Sequence, residues 1–292
     1  RDYSLEHPVG DEMFATFARF FDKAPVPLEP RIESTDDSAE HWIKQTVSFA
    51  AGYGGERMLA RLYLPRNAVP PYQVIIQMGG AATFYGSSSE TEVSIHNWSY
   101  AEYLLRGGRA VLLPIWKGSY ERSDGFDPLN ASAAVFREHA IQWVSEIRRS
   151  VDYLQSRDDV DPERVGYQGI SHGSVCAPVF LALEPRLRAG LVICGGFVVM
   201  QFGPDRIPPE IDTLNFAPRV AAPVLMLNGR HDPIFPYETS QLPMYRAFGT
   251  AEADKRHVTF PSGHSTSSWR NELIRESHDW LDRYFGPPRG PN

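Results

Sequence analysis

The chain has 292 residues, with 36 acidic and 29 basic side chains for a formal charge of −7, and it contains 24 prolines, 23 glycines and two cysteines. A chain of this length buries roughly three quarters of the surface that its unfolded form exposes, which is enough for one large domain or two small ones. The acidic balance, with no block rich in Lys and Arg, removes the attraction that dominates binding to nucleic acids and anionic membranes. We therefore expect no nucleic-acid partner and no membrane association.

The two cysteines, Cys176 and Cys194, lie in no CxxC or Cys/His spacing that is typical of zinc sites. We expect two reduced thiols rather than a disulfide, as in a cytoplasmic protein. The most apolar stretch, 191–200, is much shorter than the ~20 residues that span a bilayer and predicts a core strand. Because the sequence starts at Arg1 without a signal peptide, we expect a processed chain or a piece of a longer one.

The first 41 residues form the polar and proline-rich part of the chain. Residues 1–41 predict an N-terminal extension packed on the body of the protein, with helical spacing in a Phe-rich patch at 14–21. The pattern then changes to β-strands, with an alternating segment at 46–49 and apolar runs at 58–65 and 73–78. We expect antiparallel strands at this N-terminal side of the sheet.

Helical periodicities then alternate with short strands that are apolar on both faces. Such strands are typical of a parallel sheet with helices on two sides. The sequence therefore predicts one α/β domain over 42–286 with a mostly parallel sheet, followed by a tail at 287–292. The predicted elements are helix 97–106, strand 109–115, helix 135–156, strand 164–168, helix 172–184, strand 189–194, strand 222–228, helix 238–248, strand 256–260 and helix 268–285.

Two long irregular segments, 116–134 and 196–220, follow predicted strands. Open α/β sheets bind ligands at loops after the carboxyl ends of strands, so we expect both segments to form walls of a substrate site. The second is too short for a large cap domain. In the first, we expect Lys117, Arg122 and Asp124 to form a local ion-pair network rather than to bind a charged substrate.

A G-x-S-x-G pattern, from Gly169 through Ser171 to Gly173, connects a predicted strand to a predicted helix. In such a nucleophile elbow the serine occupies a strained turn, and side chains at the glycine positions would collide with neighbouring backbone. A serine hydroxyl is a weak nucleophile at neutral pH and needs an imidazole base that a carboxylate orients. Ser171 is therefore the candidate nucleophile.

The acid and the base are expected after the serine in chain order, each on a loop that follows a strand. Asp232 follows one apolar strand, and His264 follows the next one in a Gly-His turn. We therefore predict a triad of Ser171, His264 and Asp232, with Glu238 as the alternative acid.

An oxyanion has to be stabilised by backbone N–H donors that are already in place. We predict one donor at His172, which follows the nucleophile at the start of its helix. The second is expected in the glycine-rich loop at 77–82, where Gly80 is the first choice and Ala81 the second. The side chain of His172 either contacts the substrate or lies at the rim of the site.

With these motifs the chain resembles the α/β-hydrolase superfamily, and more closely the esterases related to dienelactone hydrolase and acyl-aminoacyl peptidase. The resemblance implies the α/β-hydrolase fold, hydrolysis of carboxylic esters and a bacterial, cytoplasmic protein. The sequence departs from the superfamily at Met78, which precedes the glycine pair where a histidine is frequent. A finer resemblance, to hydrolase domains at the C-terminus of bacterial serine/threonine protein-kinase fusions, is carried by residues 71–74, 117–122, 214–219, 225–232, 254–258 and 271–276.

These residues together predict a serine hydrolase that cleaves small carboxylic esters through an acyl-enzyme, needs no metal or organic cofactor, and is a monomer or homodimer. The alternatives are a peptidase or amidase with the same triad and a non-catalytic interaction module with the hydrolase fold. Aromatic side chains on loops around the predicted site favour a pocket for a medium-sized acyl or aryl ester. The expected substrate contacts are Phe84, Tyr85, Trp98, Trp116, Tyr120 and Phe202.

Overall fold

The computed structural model of the protein describes residues 1–22, 25–90, 92–199 and 207–291. The strands are β1 (Arg31–Asp36), β2 (Trp42–Ala50), β3 (Arg57–Pro65), β4 (Tyr72–Met78), β5 (Ala110–Ile115), β6 (Val160–Ile170), β7 (Gly190–Ile193), β8 (Val224–Gly229) and β9 (Lys255–Phe260). The α-helices are α1 (Asp11–Ala18), α2 (Glu92–Arg106), α3 (Ala133–Gln155), α4 (His172–Leu183), α5 (Leu242–Ala247) and α6 (Arg270–Phe285).

These strands form one sheet in the order β1-β2-β3-β5-β4-β6-β7-β8-β9. The pairs β1/β2, β2/β3 and β3/β5 are antiparallel, and every later pair is parallel. The central strand β4 is buried on both faces because Val74, Ile75 and Ile76 are all apolar and fully covered. The sheet thus confirms the predicted mixed topology, with the antiparallel strands on its N-terminal side.

The helices pack against the sheet through two apolar cores, one on each face of the sheet. One core includes Trp143 of α3 and Phe180 of α4, and the other includes Leu104 of α2 and Leu281 of α6. Helices therefore cover both faces, which confirms the α/β-hydrolase fold that the resemblance implied. No helix in the described part of the chain has the length and apolar character that crossing a membrane requires.

Several elements differ from those predicted, and α2 and β6 begin five and four residues earlier than expected. Strand β1 was not predicted, because its six side chains are all exposed and show no apolar alternation. As the edge strand it is held by backbone pairing with β2 on one side, which requires no apolar face. The predicted helix 238–248 is shorter, because a π-helical turn at Tyr237–Gln241 precedes α5.

The N-terminal segment packs on the loop region that follows β7. The ring of Phe21 is buried against Phe216 with centroids 5.7 Å apart, and Phe14 contacts the same ring at 5.4 Å. Arg219 donates a hydrogen bond to the carbonyl of Val9 at 2.6 Å. The first 21 residues therefore hold the segment around Phe216 from outside.

Candidate active site

Ser171 lies between the end of β6 and the start of α4, at the carboxyl edge of the sheet. Its φ is 52° and its ψ is −108°, a left-handed conformation that is strained for a residue with a side chain. Two hydrogen bonds hold this turn, because the N–H of Ser171 donates to the carbonyl of Ile193 at 2.9 Å and the N–H of Gly173 donates to that of Gly79 at 3.1 Å. The surrounding backbone thus fixes the strained serine.

Both glycines of the elbow face backbone at close range. A Cβ on Gly169 would lie 2.4 Å from the carbonyl oxygen of Gly173. A Cβ on Gly173 would lie 2.2 Å from the carbonyl oxygen of Met78. No side chain fits at these distances, so the collision expected from the glycine spacing is present in the structure.

His264 lies between Ser171 and Asp232. Its Nε2 is 3.1 Å from the Oγ of Ser171, and its Nδ1 is 2.8 Å from the Oδ2 of Asp232. The carboxylate of Asp232 is buried, and its Oδ1 accepts hydrogen bonds from the N–H groups of Ile234 at 2.8 Å and Phe235 at 3.1 Å. These bonds direct the second oxygen at the imidazole, an arrangement that can move a proton from the serine hydroxyl to Nε2.

The loops that carry the acid and the base are packed against each other. They follow the parallel neighbours β8 and β9. A Cβ on Gly229 would lie 1.8 Å from the carbonyl oxygen of Gly263, and the N–H of His231 donates to the carbonyl of Ser262 at 2.9 Å. The sheet order and these loop contacts together bring the two side chains into hydrogen-bonding distance.

Other candidate acids and bases lie elsewhere. Glu238 is exposed and forms an ion pair with Arg230 at 3.4 Å. His139 of α3 contacts the carboxylate of Asp124 at 3.1 Å, and His278 of α6 has a nitrogen 3.1 Å from the guanidinium of Arg109. None of these three side chains makes the contacts that Asp232 and His264 make with each other and with Ser171.

Backbone donors for an oxyanion lie beside the serine. A Cβ on Gly80 would lie 3.4 Å from the Cβ of Ser171, so the loop after β4 approaches the serine closely. Ala81 is the first residue of a 3₁₀ turn, and His172 is the first residue of α4. The N–H groups of first helical residues have no acceptor inside their own helix. Ala81 and His172 thus present backbone donors where they and Ser171 line one cavity.

A cavity of about 340 Å³, here called the serine cavity, opens beside Ser171. Both irregular segments that were predicted as walls contribute to it, as do α4 and the loop after β8. None of the described residues that line it carries a formal charge at neutral pH. Its apolar side chains are Pro128, Leu129, Ala131, Ala133, Phe136, Val175, Val198, Ile207, Pro208, Ile211, Ile234 and Phe235.

Two of the aromatic residues expected to contact substrate do not line the serine cavity. Phe84 is buried in the core, where its ring packs on Phe126 at 5.2 Å and on Trp143 at 5.5 Å. Tyr85 is 57% exposed, and its hydroxyl donates to the carboxylate of Asp127 at 2.6 Å. The position of an aromatic residue on or near a loop does not predict the direction in which its ring points.

Three of the other aromatic residues expected to contact substrate line a different cavity. Trp98, Trp116 and Tyr120 line a separate cavity of about 270 Å³, of which Ser171 is not a wall. Phe202 lies outside the described residues. The side chains that do line the serine cavity are mostly aliphatic, and for some of them a place in the two irregular segments was the signal in the sequence.

The ring of His172 lines the serine cavity and packs edge-on against aromatic rings. Its centroid is 5.1 Å from that of Phe84 and 5.2 Å from that of Trp143, and its Nε2 is 3.7 Å from the Sγ of Cys176. Burial lowers the pKa of His172 to about 4, so the ring is neutral at pH 7. This side chain therefore adds no positive charge to the cavity.

The expected ion-pair network is confirmed and lies behind the first irregular segment. Arg122 pairs with the fully buried carboxylate of Glu146, and it donates to the hydroxyl of Tyr53 at 2.8 Å and to Glu56 at 3.1 Å. The ammonium of Lys117 lies 3.0 Å from the same Glu56. These groups neutralise one another and are not walls of the serine cavity.

Comparison with known proteins identifies a bacterial relative and solved structures of the same fold. The "Putative hydrolase YtaP" of Bacillus subtilis (strain 168) is 31% identical over 307 residues, covering 92% of this chain and 98% of YtaP. Acetyl xylan esterase 1 from Thermoanaerobacterium sp. JW/SL YS485 superposes with a TM-score of 0.71 at 17% identity, covering 96% of each chain. A cold-adapted esterase from an Arctic intertidal metagenomic library has a TM-score of 0.67 at 19% identity, covering 87% of this chain and 99% of its own.

At these identities the two structures show the α/β-hydrolase fold. The names of these three relatives mention no protein kinase, so the finer resemblance to kinase fusions remains a prediction. The model of a family described as "Dienelactone hydrolase family" matches residues 92–277, which include all three residues of the candidate triad. Since this match spans more than half of the chain, the protein belongs to the dienelactone hydrolase family of hydrolases.

Proposed function

We propose that the protein is a serine esterase that hydrolyses carboxylic esters through a covalent acyl-enzyme. The observation that carries this proposal is a pair of hydrogen-bonding contacts made by His264. Its Nδ1 lies 2.8 Å from the Oδ2 of Asp232, and its Nε2 lies 3.1 Å from the Oγ of Ser171. The names of the two structural neighbours, both esterases, support the same chemistry.

Acylation begins when the Oγ of Ser171 attacks the carbonyl carbon of the ester and its proton passes to the Nε2 of His264. Asp232 holds the Nδ1–H of the imidazole and stabilises the positive charge that develops on the ring. The N–H groups of His172 and Ala81 bind the oxyanion of the tetrahedral intermediate. The intermediate then collapses, and His264 gives its proton to the departing alcohol.

Deacylation repeats these steps with water. His264 takes a proton from the water that attacks the acyl carbon, and the same two amides bind the second oxyanion. Collapse of this intermediate breaks the bond to Ser171, whose oxygen regains a proton from His264, and releases the carboxylic acid. We assign the second oxyanion donor to Ala81 rather than Gly80, because Ala81 begins the 3₁₀ turn and lines the serine cavity.

The test is the Ser171→Ala variant, assayed with p-nitrophenyl acetate and labelled with a fluorophosphonate probe. We expect kcat to fall by at least about 10⁴-fold and labelling to disappear. The control is Ser265→Ala, because Ser265 is an exposed serine next to the base. The Ser265→Ala variant should keep both the hydrolysis of p-nitrophenyl acetate and the labelling by the probe. Retention of most activity by Ser171→Ala would exclude the proposal.

A matched pair of substrates separates an esterase from an amidase or peptidase with the same residues. A p-nitrophenyl ester and the p-nitroanilide of the same acid differ only in the atom that leaves. We expect turnover of the ester to exceed that of the anilide. Faster turnover of the anilide would instead support the peptidase alternative, and loss of both reactions would support a non-catalytic module.

A further inference from the structure

The walls of the serine cavity come from separate parts of the fold, among them two helices and two loop segments. Phe136 belongs to α3, Val175 to α4, Ile211 to the second irregular segment, and Ile234 with Phe235 to the loop after β8. Because hydrocarbon surface surrounds the cavity, transfer of an apolar group into it from water is favourable. The cavity is therefore suited to a hydrocarbon chain.

The position of the cavity identifies the side of the ester that enters it. Ser171 and both proposed oxyanion donors, Ala81 and His172, line the cavity, whereas His264 is not among the described residues that do. In the proposed function the leaving alcohol has to reach the Nε2 of His264 to receive its proton. The alcohol therefore departs on the side of the base. Although the wall residue Phe235 packs against the ring of His264 with centroids 5.8 Å apart, the lining by Ser171 and both oxyanion donors assigns the cavity to the acyl group.

The charge of the cavity restricts the acyl group further. No lysine or arginine is found among the described residues that line it, and the ring of His172 is neutral at pH 7. A carboxylate at the end of the acyl chain would thus find no counter-ion among these described residues, and its burial against them is strongly unfavourable. An uncharged chain has no such penalty.

The volume of the cavity sets the length of the chain. A volume of about 340 Å³ accommodates roughly eleven non-hydrogen atoms, if each occupies about as much space as a water molecule in the liquid. On this basis, and resting on the proposed function, we infer that the serine cavity binds an uncharged hydrocarbon acyl chain of about six to eight carbons. Longer chains extend beyond the cavity and gain no further burial.

Two series of esters test this inference. In the first, p-nitrophenyl esters run from acetyl to dodecanoyl; in the second, acetate esters carry alcohols of the same range of lengths. We expect kcat/KM in the acyl series to rise about fourfold per methylene, the factor that corresponds to ~0.8 kcal/mol, and to level off near octanoyl. The alcohol series should change little. A flat acyl series, or a rise in the alcohol series only, would refute the inference.

A matched pair of variants on α3 ties the chain-length profile to the cavity. Ala133 lines the cavity, whereas Val135 is 44% exposed on the same helix and does not. We expect Ala133→Phe to lower kcat/KM for octanoyl relative to acetyl by at least about tenfold, since filling the cavity removes the burial of two or more methylenes. Val135→Phe should leave the profile unchanged. Equal profiles in both variants would contradict the assignment.

A second variant lies on a different wall. Ile234 lines the cavity but is 36% exposed, so Ile234→Asp places a carboxylate at the wall with little cost to the core. It should also lower the preference for octanoyl over acetyl. An unchanged preference in this variant would count against the inference even if Ala133→Phe fails to fold.

The charge restriction has its own test in the native protein. The mono-p-nitrophenyl ester of adipic acid has the same chain length as the hexanoyl ester but ends in a carboxylate. We expect kcat/KM for the adipate ester to be lower by on the order of 100-fold. Equal values would refute the charge restriction. If Ser171-dependent hydrolysis of acetate is found while the acyl profile is flat, the proposed function stands and only this inference fails.

Discussion

The hydroxyl of Tyr3 donates a hydrogen bond to the carbonyl of Val198 at 2.8 Å, although the two residues lie 195 positions apart. The ring of Tyr3 also stacks on Phe197 with centroids 4.7 Å apart, and the guanidinium of Arg1 pairs with Asp212. Val198 lines the serine cavity, and Asp212 follows one of its wall residues. The N-terminal segment thus supports one wall of the cavity from outside.

We predict that Tyr3→Ala lowers the free energy of unfolding by about 3 kcal/mol, because Tyr3 is 8% exposed and its ring leaves a cavity. It should also reduce kcat/KM for octanoyl esters more than for acetyl esters. Denaturant unfolding and the two assays measure these effects. Tyr3→Phe keeps the ring and loses only the hydrogen bond, so it should cost about 1 kcal/mol and leave the octanoyl preference intact. A Tyr3→Ala protein of native stability and selectivity would contradict the supporting role.

Asp232→Asn tests how the base is oriented. The asparagine oxygen still accepts the hydrogen bonds from Ile234 and Phe235, but its NH₂ group then faces the Nδ1 of His264, where the carboxylate oxygen lies 2.8 Å away. The imidazole is then held in the wrong tautomer, so we expect kcat to fall by about 10⁴-fold with little loss of stability.

The matched control is Glu238→Gln, which changes an exposed carboxylate in the same loop region that pairs with Arg230. Its kcat should stay within about twofold of the native value, because the free energy of an exposed ion pair is small. The reverse result, with kcat lost in Glu238→Gln and kept in Asp232→Asn, would assign the acid to Glu238.

The three triad residues could be predicted from the sequence because the position of each one follows from local sequence and chain order. Gly169 and Gly173 mark the elbow, and each further residue follows a strand whose apolar run is recognisable. Parallel neighbours then bring their carboxyl ends to one edge of the sheet, so Asp232 and His264 meet without any specific long-range signal.

The lining of the cavity was not predictable in the same way. Trp116 and Ile211 both lie in the irregular segments that were predicted as walls, but which side chain turns into the serine cavity depends on long-range packing of the segment. The sequence favoured aromatic residues because of their size, whereas Phe84 is used in the core. Strand β1 was missed for a related reason, since it is held by backbone pairing with β2 and by polar side-chain contacts, which leave no apolar pattern.

Gly169→Ala tests the close packing of the elbow. The added Cβ would lie 2.4 Å from the carbonyl oxygen of Gly173, which is backbone and has no room to move. We expect a loss of about 3 kcal/mol or more in the free energy of unfolding, together with loss of esterase activity. Gly10→Ala is the control, because a Cβ there meets no atom within 4 Å and the φ of −66° suits alanine. Equal stability of the two variants would show that the elbow tolerates a side chain.

His257 of β9 provides a pH-dependent contribution to stability. Burial and the neighbouring charge of Arg230 lower the pKa of His257 to about 4, from an ordinary value of 6.5. The unfolded chain therefore binds a proton at a higher pH than the folded protein does. Stability from this group is complete above about pH 6.5, decreases as the pH falls through this range, and is lost by about pH 4, for a total of up to ~3 kcal/mol.

The His257→Gln variant isolates this contribution, since its amide can still donate to the Oδ1 of Asn228, which lies 3.2 Å from the histidine Nε2. We expect the native protein to lose more stability than the variant between neutral pH and pH 4, as measured by denaturant unfolding at each pH. In Arg230→Met, the free energy of unfolding should fall less steeply with decreasing pH than in the native protein, because the positive charge that lowers the pKa of His257 is gone. Parallel curves for the native protein and His257→Gln would contradict the assigned cause.

The buried pair of Arg122 and Glu146 is expected to contribute to stability rather than to substrate binding. The carboxylate of Glu146 is fully buried, and besides Arg122 it accepts hydrogen bonds from the hydroxyl of Tyr53 and from the N–H of Lys117 at 3.0 Å. Arg122→Met removes the charged partner and leaves a buried anion with these two hydrogen bonds but without a positive charge in contact. We therefore expect a loss of about 3–5 kcal/mol in the free energy of unfolding.

Addition of Glu146→Gln to Arg122→Met should recover part of this loss, because glutamine is neutral and its oxygen can still accept the hydrogen bond from Lys117. Arg188→Met serves as the surface control. Arg188 pairs with Glu163 where both side chains are exposed, so its loss should cost less than about 1 kcal/mol. If the double variant is less stable than Arg122→Met alone, the loss does not come from an unpaired charge on Glu146.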